Sequence, residues 1–105
     1  MRSPRTRKRR REIERELAKL AEDKEKLFRL QPGGAPARPL RVAASPVVDV
    51  RARATRCPLC DGALRLDEHA ADSVDGRSLR VARLTCLGCH VPRELWFEIV
   101  PDDPN

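Results

Sequence analysis

Two short cysteine motifs constrain this chain more than any other feature of its sequence. Cys57 and Cys60 form the segment CPLC, and Cys86 and Cys89 form CLGC, with 25 residues between the two pairs. Four thiolates at the corners of a tetrahedron are a ligand set that Zn²⁺ takes in closed structural sites. Two short strands and a turn fit the intervening length and would return the second pair to the first. The spacing therefore predicts a metal centre built from all four cysteines.

The composition predicts a small hydrophobic core, of the kind that a metal would help to stabilise. Of its 105 residues, only Phe28, Trp96 and Phe97 are aromatic. Aromatic side chains supply the largest burials, so we expect a thin core of the kind that usually depends on a metal, a disulfide or a partner subunit. The sequence has neither a membrane-spanning apolar run nor the apolar region of a signal peptide. We therefore expect a cytoplasmic protein without membrane contact, in which thiols stay reduced and bind metal.

Three other uses of these cysteines compete with zinc. The segment CLGCH, residues 86–90, has the form of a c-type haem attachment motif, but that use leaves CPLC without a role. An iron site of the rubredoxin type uses the same four sulfur atoms. A dithiol–disulfide switch needs a poised thiolate, and the βαβ context of thioredoxin is missing. Zinc is the favoured interpretation, with iron and redox chemistry as open alternatives.

The segment CPLCDG, residues 57–62, resembles the knuckle Cys-Pro-x-Cys-x-Gly of the zinc ribbon superfamily. The resemblance covers roughly residues 50–100, and it implies two knuckles that close a small antiparallel sheet around one Zn²⁺ per chain. Gly62 is expected to supply a left-handed conformation after the first pair. The second knuckle has His90 and Val91 where glycine is usual. Histidine adopts positive φ more readily than most residues, so we expect the second knuckle to form despite this departure. The ligands that the resemblance implies are Cys57, Cys60, Cys86 and Cys89.

Alternating hydrophobicity predicts the strands of this sheet. The segment VVDVRARATR is expected to be a half-exposed strand with Val48, Val50, Ala52 and Ala54 on one side. Further strands are predicted at about 63–69 with Leu64 and Leu66 inward, at about 78–85, and at about 93–100, with a turn at 72–76. In the last strand Leu95, Phe97 and Ile99 share a face. Trp96 lies on the other face, where packing beneath the metal site is favoured over an exposed stacking surface. The predicted fold is a small α+β protein: an N-terminal helix, then a metal-stabilised antiparallel β ribbon of three to four strands over residues 47–100, with a tail at 101–105.

Residues 11–30 carry the pattern of an amphipathic helix. Ile13, Leu17, Leu20 and Leu27 follow 4-3-7 spacing, and Lys24 occupies the skipped position. The stripe predicts either a short coiled-coil seam, through which the chain forms a homodimer or binds a protein partner, or a helix that packs on its own domain. The helix is expected to end before Pro32, and residues 31–46, rich in proline and glycine, are expected to be a linker.

Positive charge is concentrated at the N-terminus. The chain carries 22 Lys and Arg residues, of which 7 lie in residues 1–11, leaving 15 basic residues against 16 acidic ones in the rest. Residues 1–10 are therefore predicted to be a disordered basic arm. Basic side chains attract phosphate without regard to base sequence, so nucleic acid is the expected partner. The predicted nucleic-acid-binding residues are Arg2, Arg5, Arg7, Lys8, Arg9, Arg10 and Arg11.

The sequence contains no serine–histidine–acid constellation and no glycine-rich phosphate loop, so we expect neither enzymatic activity nor a small-molecule substrate. His69 is expected to be an exposed or capping side chain. The favoured function is a non-catalytic zinc-binding protein that associates with nucleic acid. The alternatives are a protein–protein interaction adaptor and a redox sensor that releases zinc when its thiols are oxidised.

Overall fold

A computed structural model describes residues 4–101 of the chain. Its elements are α1 (Pro4–Leu30), β1 (Leu40–Val42), α2 (Ser45–Ala54), β2 (Leu64–Val74), β3 (Arg77–Cys86) and β4 (Pro92–Ile99). The strands form one sheet in the order β1-β4-β3-β2. This confirms the small α+β fold. None of the helices in the described part is long and apolar enough to cross a membrane.

The sheet is mixed, whereas a purely antiparallel ribbon was expected. β2 pairs with β3 and β3 with β4 in antiparallel fashion, but β1 runs parallel to the end of β4. β1 lies inside the segment that was predicted to be a linker. Leu40 pairs with Phe97 and Val42 with Ile99, and Val42 is only 1% exposed. Burial of these two apolar side chains on either side of Arg41 makes the segment a strand despite the nearby prolines.

The hairpin of β2 and β3 turns at Asp75 and Gly76. Their φ angles are 51° and 78°, and positive φ at both central residues defines the type I′ turn, whose twist matches that of the flanking strands. The turn lies within the predicted segment 72–76 but is tighter, because β2 continues to Val74. A register shift between Leu66 and Glu68 interrupts the ladder. This bulge changes which side chains face the core.

The core lies between α2 and one face of the sheet. Leu64, Leu95 and Phe97 are buried there, and Leu66 and Ile99 pack against them. The predicted inward faces of these strands are therefore confirmed. Trp96 packs on the opposite face with Leu79 and Val81 as a second small cluster, so it has the expected packing role, but not the expected place beneath the cysteines, which belong to the other cluster.

The strand predicted at residues 47–56 is wrong: residues 47–54 belong to α2. Pro46 lies in the first turn, where the absence of an N–H costs nothing and its fixed φ suits a helix. Val48 and Ala52 are both fully buried, whereas Val50 is 66% exposed. The alternation in the sequence is real, but only the positions one helical turn apart meet the core.

Helix α1 begins earlier than expected. The arm predicted to be disordered at residues 1–10 is helical from Pro4 onward, and its first three residues, including Arg2, lie outside the described part. Proline is favoured at a first helical position, which explains the start. The helix ends at Leu30 as predicted, where the amide of Gln31 donates to the Phe28 carbonyl at 3.0 Å. Residues 5–20 are all exposed, so within residues 4–101 α1 meets the rest of the protein through its last turns.

Candidate metal centre

The sulfur atoms of Cys57, Cys60, Cys86 and Cys89 converge at one end of the sheet. All four Sγ atoms lie within 4.8 Å of one another. The Cys57–Cys89 separation is 3.7 Å and the Cys60–Cys86 separation is 3.4 Å. In a tetrahedral thiolate site with metal–sulfur bonds of about 2.3 Å, neighbouring sulfur atoms lie about 3.8 Å apart. The four predicted ligands are therefore positioned to hold one metal ion.

Two turns of the same design present these sulfur atoms. In the first, the Cys57 amide donates to the Gly62 carbonyl at 2.9 Å and the Asp61 amide to the Cys57 carbonyl at 2.8 Å. In the second, the Cys86 amide donates to the Val91 carbonyl at 3.1 Å and the His90 amide to the Cys86 carbonyl at 3.0 Å. Each Cys-x-x-Cys segment is thus closed by a pair of backbone hydrogen bonds and needs no other element to fix its shape.

Both turns contain one residue in the left-handed region. His90 has φ 63°, which confirms the expectation that histidine could take the position usually held by glycine. In the first turn the residue is Asp61, with φ 61°, and the left-handed role predicted for Gly62 is wrong. Aspartate visits this region more easily than most side chains do, because its short carboxylate bonds locally.

The glycines instead make room for the sulfur atoms. A Cβ atom at Gly62 would lie 3.1 Å from the Sγ atoms of both Cys60 and Cys86, and one at Gly88 would lie 3.2 Å from the Sγ of Cys60. These contacts are tighter than ordinary van der Waals packing. A side chain at either position would push against the candidate ligands, so glycine is needed here for close approach of the backbone.

Backbone amides give the thiols different acidities. The amides of Cys89 and Gly88 lie 3.4 and 3.3 Å from the Cys86 Sγ. They lower the pKa of Cys86 to about 6, the Cys89 amide most strongly, with help from the Cys60 thiol and against the effect of burial. The Val91 amide alone would lower the pKa of Cys89, but partial desolvation of its sulfur atom and the neighbouring thiols together raise it to about 11. Four thiolates cannot coexist this closely without a cation, so the cluster is electrostatically suited to a metal ion.

The centre lies at the protein surface. Cys57 and Cys86 are buried, with 2% and 0% exposure, whereas Cys60 and Cys89 are exposed. The buried pair belongs to the core that packs beneath α2. One side of the cluster is therefore anchored in the fold, and the other faces solvent.

Helix α1 contacts the first turn, a relationship that sequence reasoning missed. The Nζ of Lys24 lies 3.5 Å from the carbonyl oxygen of Leu59, between the two cysteines of CPLC. The sequence pattern leaves Lys24 either at a polar position of a coiled-coil seam or on a helix that packs on its own domain. Its departure from the apolar 4-3-7 pattern is the one sign in the sequence that this side chain has another contact.

The basic residues predicted to bind nucleic acid lie on the exposed first turns of α1, apart from Arg2, which is outside the described residues. Arg7, Lys8 and Arg11 share one face with Arg15, and together these four line a shallow groove. Arg15 is not among the residues predicted from the sequence, which end at Arg11. The helical period reveals it, since it lies one turn after Arg11, whose carbonyl its Nε approaches at 3.4 Å.

His69 is neither exposed nor a cap, which corrects the prediction made for it. Its side chain is 14% exposed, and Nδ1 lies 2.8 Å from Oδ1 of Asp49 on α2. The bulge in β2 causes this burial, because it turns His69 toward α2. Neither His69 nor His90 is part of the sulfur cluster.

Comparison with known proteins gives no matching family model, no similar curated protein and no similar solved structure. The case for a metal centre therefore rests on the geometry of the four cysteines.

Proposed function

We propose that this chain is a non-catalytic zinc-binding protein that associates with nucleic acid through the basic first half of α1. Zinc binding is supported by the convergence of four cysteine sulfur atoms within 4.8 Å of one another. Association with nucleic acid is supported by the exposed, basic first half of α1, which projects from the domain that holds the four cysteines.

Zinc is the metal that best fits the donor set. Zn²⁺ has no redox chemistry and no preference imposed by d-electrons, and its four-thiolate sites are tetrahedral. Two Cys-x-x-Cys turns supply all four positions, so no position remains for a water or a substrate. A site filled in this way stabilises a fold and does not perform hydrolysis. Iron in the same four sulfur atoms is the competing metal.

The proposed role of α1 follows from where its charge lies. Arg5, Arg7, Lys8, Arg9, Arg10 and Arg11 are all exposed. The rest of the chain is nearly balanced, and a Zn²⁺ bound by four thiolates adds no positive charge. Attraction to the phosphate backbone is therefore supplied by the helix, it is independent of base sequence, and it is weakened by salt.

Two measurements test the proposal on the full-length chain. Elemental analysis of reduced protein should find one zinc per chain, and iron or an absence of metal in folded protein would contradict the metal assignment. Fluorescence anisotropy with a labelled DNA duplex should show binding that is lost when the six basic residues at 5 and 7–11 are replaced by glutamine. A charge-matched control replaces six exposed basic residues of the body with glutamine, and it should retain most of the affinity. These residues are Arg38, Arg41, Arg51, Arg53, Arg56 and Arg65.

A protein-interaction adaptor is the second candidate function. It is favoured by the exposed apolar side chains along α1, among them Leu17 at 60% and Leu27 at 61% exposure. Exposed apolar stripes of this kind typically mark contacts with other proteins. Capture of partners from lysate with and without nuclease separates the two functions, because only partners bound through nucleic acid disappear after digestion.

A further inference from the structure

The positive charges of α1 are not spread evenly around the helix. Residues four apart on an α-helix are neighbours and form rows along its surface. One row of α1 holds four cations in succession, all of them exposed: Arg7, Arg11, Arg15 and Lys19. We call these four residues the cationic row. Within Pro4–Leu30, each of the other three rows has at most two cations in succession before an acidic or apolar residue follows.

The cationic row is open to a large partner. Its members span about 18 Å along the helix axis, and the row turns by about 40° at each step. Three of them line one shallow groove together with Lys8. Phe28, through which α1 packs on the core, lies about 140° from Arg15 and about 180° from Lys19 around the axis. The domain therefore does not obstruct a partner that approaches the row.

The row is electrostatically unfavourable within the chain itself. Like charges four residues apart weaken a helix, and the cationic row contains three such contacts. The first turn of α1 has no acidic residue, so its cations also lie at the positive end of the helix dipole. Glu12 and Glu16 border the row, but within the described residues no ion pair joins either of them to it. An arrangement that weakens its own helix is expected where it serves a function, and a bound polyanion would relieve both repulsions.

We propose that the cationic row binds the phosphates of one strand of double-stranded DNA while α1 remains helical. This inference rests on the proposed nucleic-acid function, and it extends the binding site to Arg15 and Lys19. A DNA duplex holds its phosphates in a fixed line, with about 3.4 Å of axis for each phosphate of one strand. A row of about 18 Å therefore lies beside about five phosphates, enough to engage all four cations at once.

A single strand fits this surface less well than a duplex. Proteins that bind single strands combine positive charge with aromatic side chains on which the bases stack. The chain has three aromatic residues, and all of them are buried: Phe28, Trp96 and Phe97. No stacking surface accompanies the cationic row, so fixed phosphates are the chemistry that it matches.

An anionic membrane also fits less well. A helix that lies in a membrane interface buries its apolar face among the lipid headgroups and carries Lys and Arg on its polar side. The apolar stripe of α1, from Ile13 to Leu27, is bordered instead by Glu14, Glu16 and Asp23. Anionic headgroups would repel these carboxylates. The row therefore favours a partner that engages the basic face alone.

Insertions of alanine test the row without changing any charge. One alanine inserted after Glu12 rotates the first two members of the row by about 100° relative to the last two. Anisotropy of a labelled DNA duplex with the full-length chain should then show binding weakened by more than about tenfold at low salt, and a slope of log K against log salt flatter by about 2. Four alanines inserted at the same place continue the row with one gap, and they should restore affinity to within a few-fold of the wild type. Circular dichroism should show that both variants keep their helix.

Two double variants test the same surface by substitution. Arg15→Gln with Lys19→Gln removes the half of the row that lies outside the basic segment at residues 1–11, and it should flatten the salt slope by about 2. Arg9→Gln with Arg10→Gln is the matched control. It removes equal charge from exposed positions of the same helix that are off the row, and it should change the slope much less.

The outcomes separate this inference from the proposed function. Equal duplex binding by the wild type and the one-alanine variant overturns the row, although duplex binding itself would stand. Equally weak binding by the one-alanine and four-alanine variants, or equal effects of the two double variants, also overturns it. A single strand bound as tightly as the duplex, or vesicles of phosphatidylcholine and phosphatidylserine bound more tightly, overturns the choice of partner. A wild-type chain that binds no duplex at low salt contradicts the nucleic-acid function itself.

Discussion

The guanidinium group of Arg93 lies over the ring of Phe28, 4.6 Å from its centroid. Arg93 also forms an ion pair with Glu25, and its side chain is only 3% exposed. A buried arginine in contact with an aromatic face and a carboxylate is well compensated, because it keeps both a charge partner and a polarisable surface. These contacts join the last turns of α1 to β4, and they make α1 part of the domain rather than a detached helix.

Truncation of Phe28 tests this anchor. Phe28→Ala should lower the free energy of unfolding by about 3 kcal/mol, since a nearly buried aromatic side chain and its cation–π contact are both lost. Urea denaturation of the zinc-loaded chain measures the change. Leu27→Ala is a matched control, because Leu27 is 61% exposed. Equal losses in the two variants would show that α1 does not dock through Phe28.

Removal of one cysteine should remove the metal. Cys60→Ser replaces an exposed ligand, so it disturbs the core little but leaves three thiolates, and metal content should fall well below one per chain. His90→Asn is the matched control in the second turn, because asparagine tolerates the positive φ at this position. Elemental analysis of both variants makes the measurement. Loss of metal from His90→Asn would indicate that the histidine is a ligand.

Chelation should release the end of α1 as well as the cysteine turns. Lys24 contacts the carbonyl of Leu59 inside the first turn, and Leu59 packs against the core that contains Phe28. If the turn loses its shape without metal, these contacts are lost with it. Hydrogen exchange of the amides near Phe28 should therefore accelerate when a chelator is added, whereas exchange near Thr6 should be unaffected. Unchanged protection at Phe28 would show that the metal and α1 are uncoupled.

The cysteine centre could be predicted from the sequence because its geometry is local. Each Cys-x-x-Cys turn closes with its own backbone hydrogen bonds, so spacing alone is informative. The strands β2, β3 and β4 were also predicted, since their alternation matches a sheet with two faces. The identity of α2 was missed because Val48, Val50, Ala52 and Ala54 alternate as a strand would, and only packing against the sheet shows that Val50 is exposed. β1 and the Lys24–Leu59 contact depend on residues distant in sequence, for which the chain carries no local pattern.

A substitution at Val50 distinguishes the helix at Ser45–Ala54 from the strand that the sequence pattern predicts there. On the exposed face of a helix, Val50→Ala should raise the free energy of unfolding by a few tenths of a kcal/mol, because alanine has the higher helix propensity. In a half-buried strand the same change would be destabilising, because β-branched side chains are favoured there. Thermal unfolding of the zinc-loaded chain shows whether Val50→Ala raises or lowers the free energy of unfolding. A clear loss of stability would contradict the helix at Ser45–Ala54.

The direction of the basic side chains separates a helical segment from a disordered arm. On a helix, Arg7, Lys8 and Arg11 point to one side, whereas Arg5, Arg9 and Arg10 point to others. Two triple glutamine variants therefore remove the same charge from different faces. Each phosphate contact contributes about −0.9 to the slope of log K against log salt on duplex DNA, so loss of the first three should flatten the slope by about 2 to 3. Loss of the other three should change this slope much less.

Equal changes of the slope in the two variants would show that the segment binds as a disordered chain. No change in either variant would show that these residues do not contact phosphate.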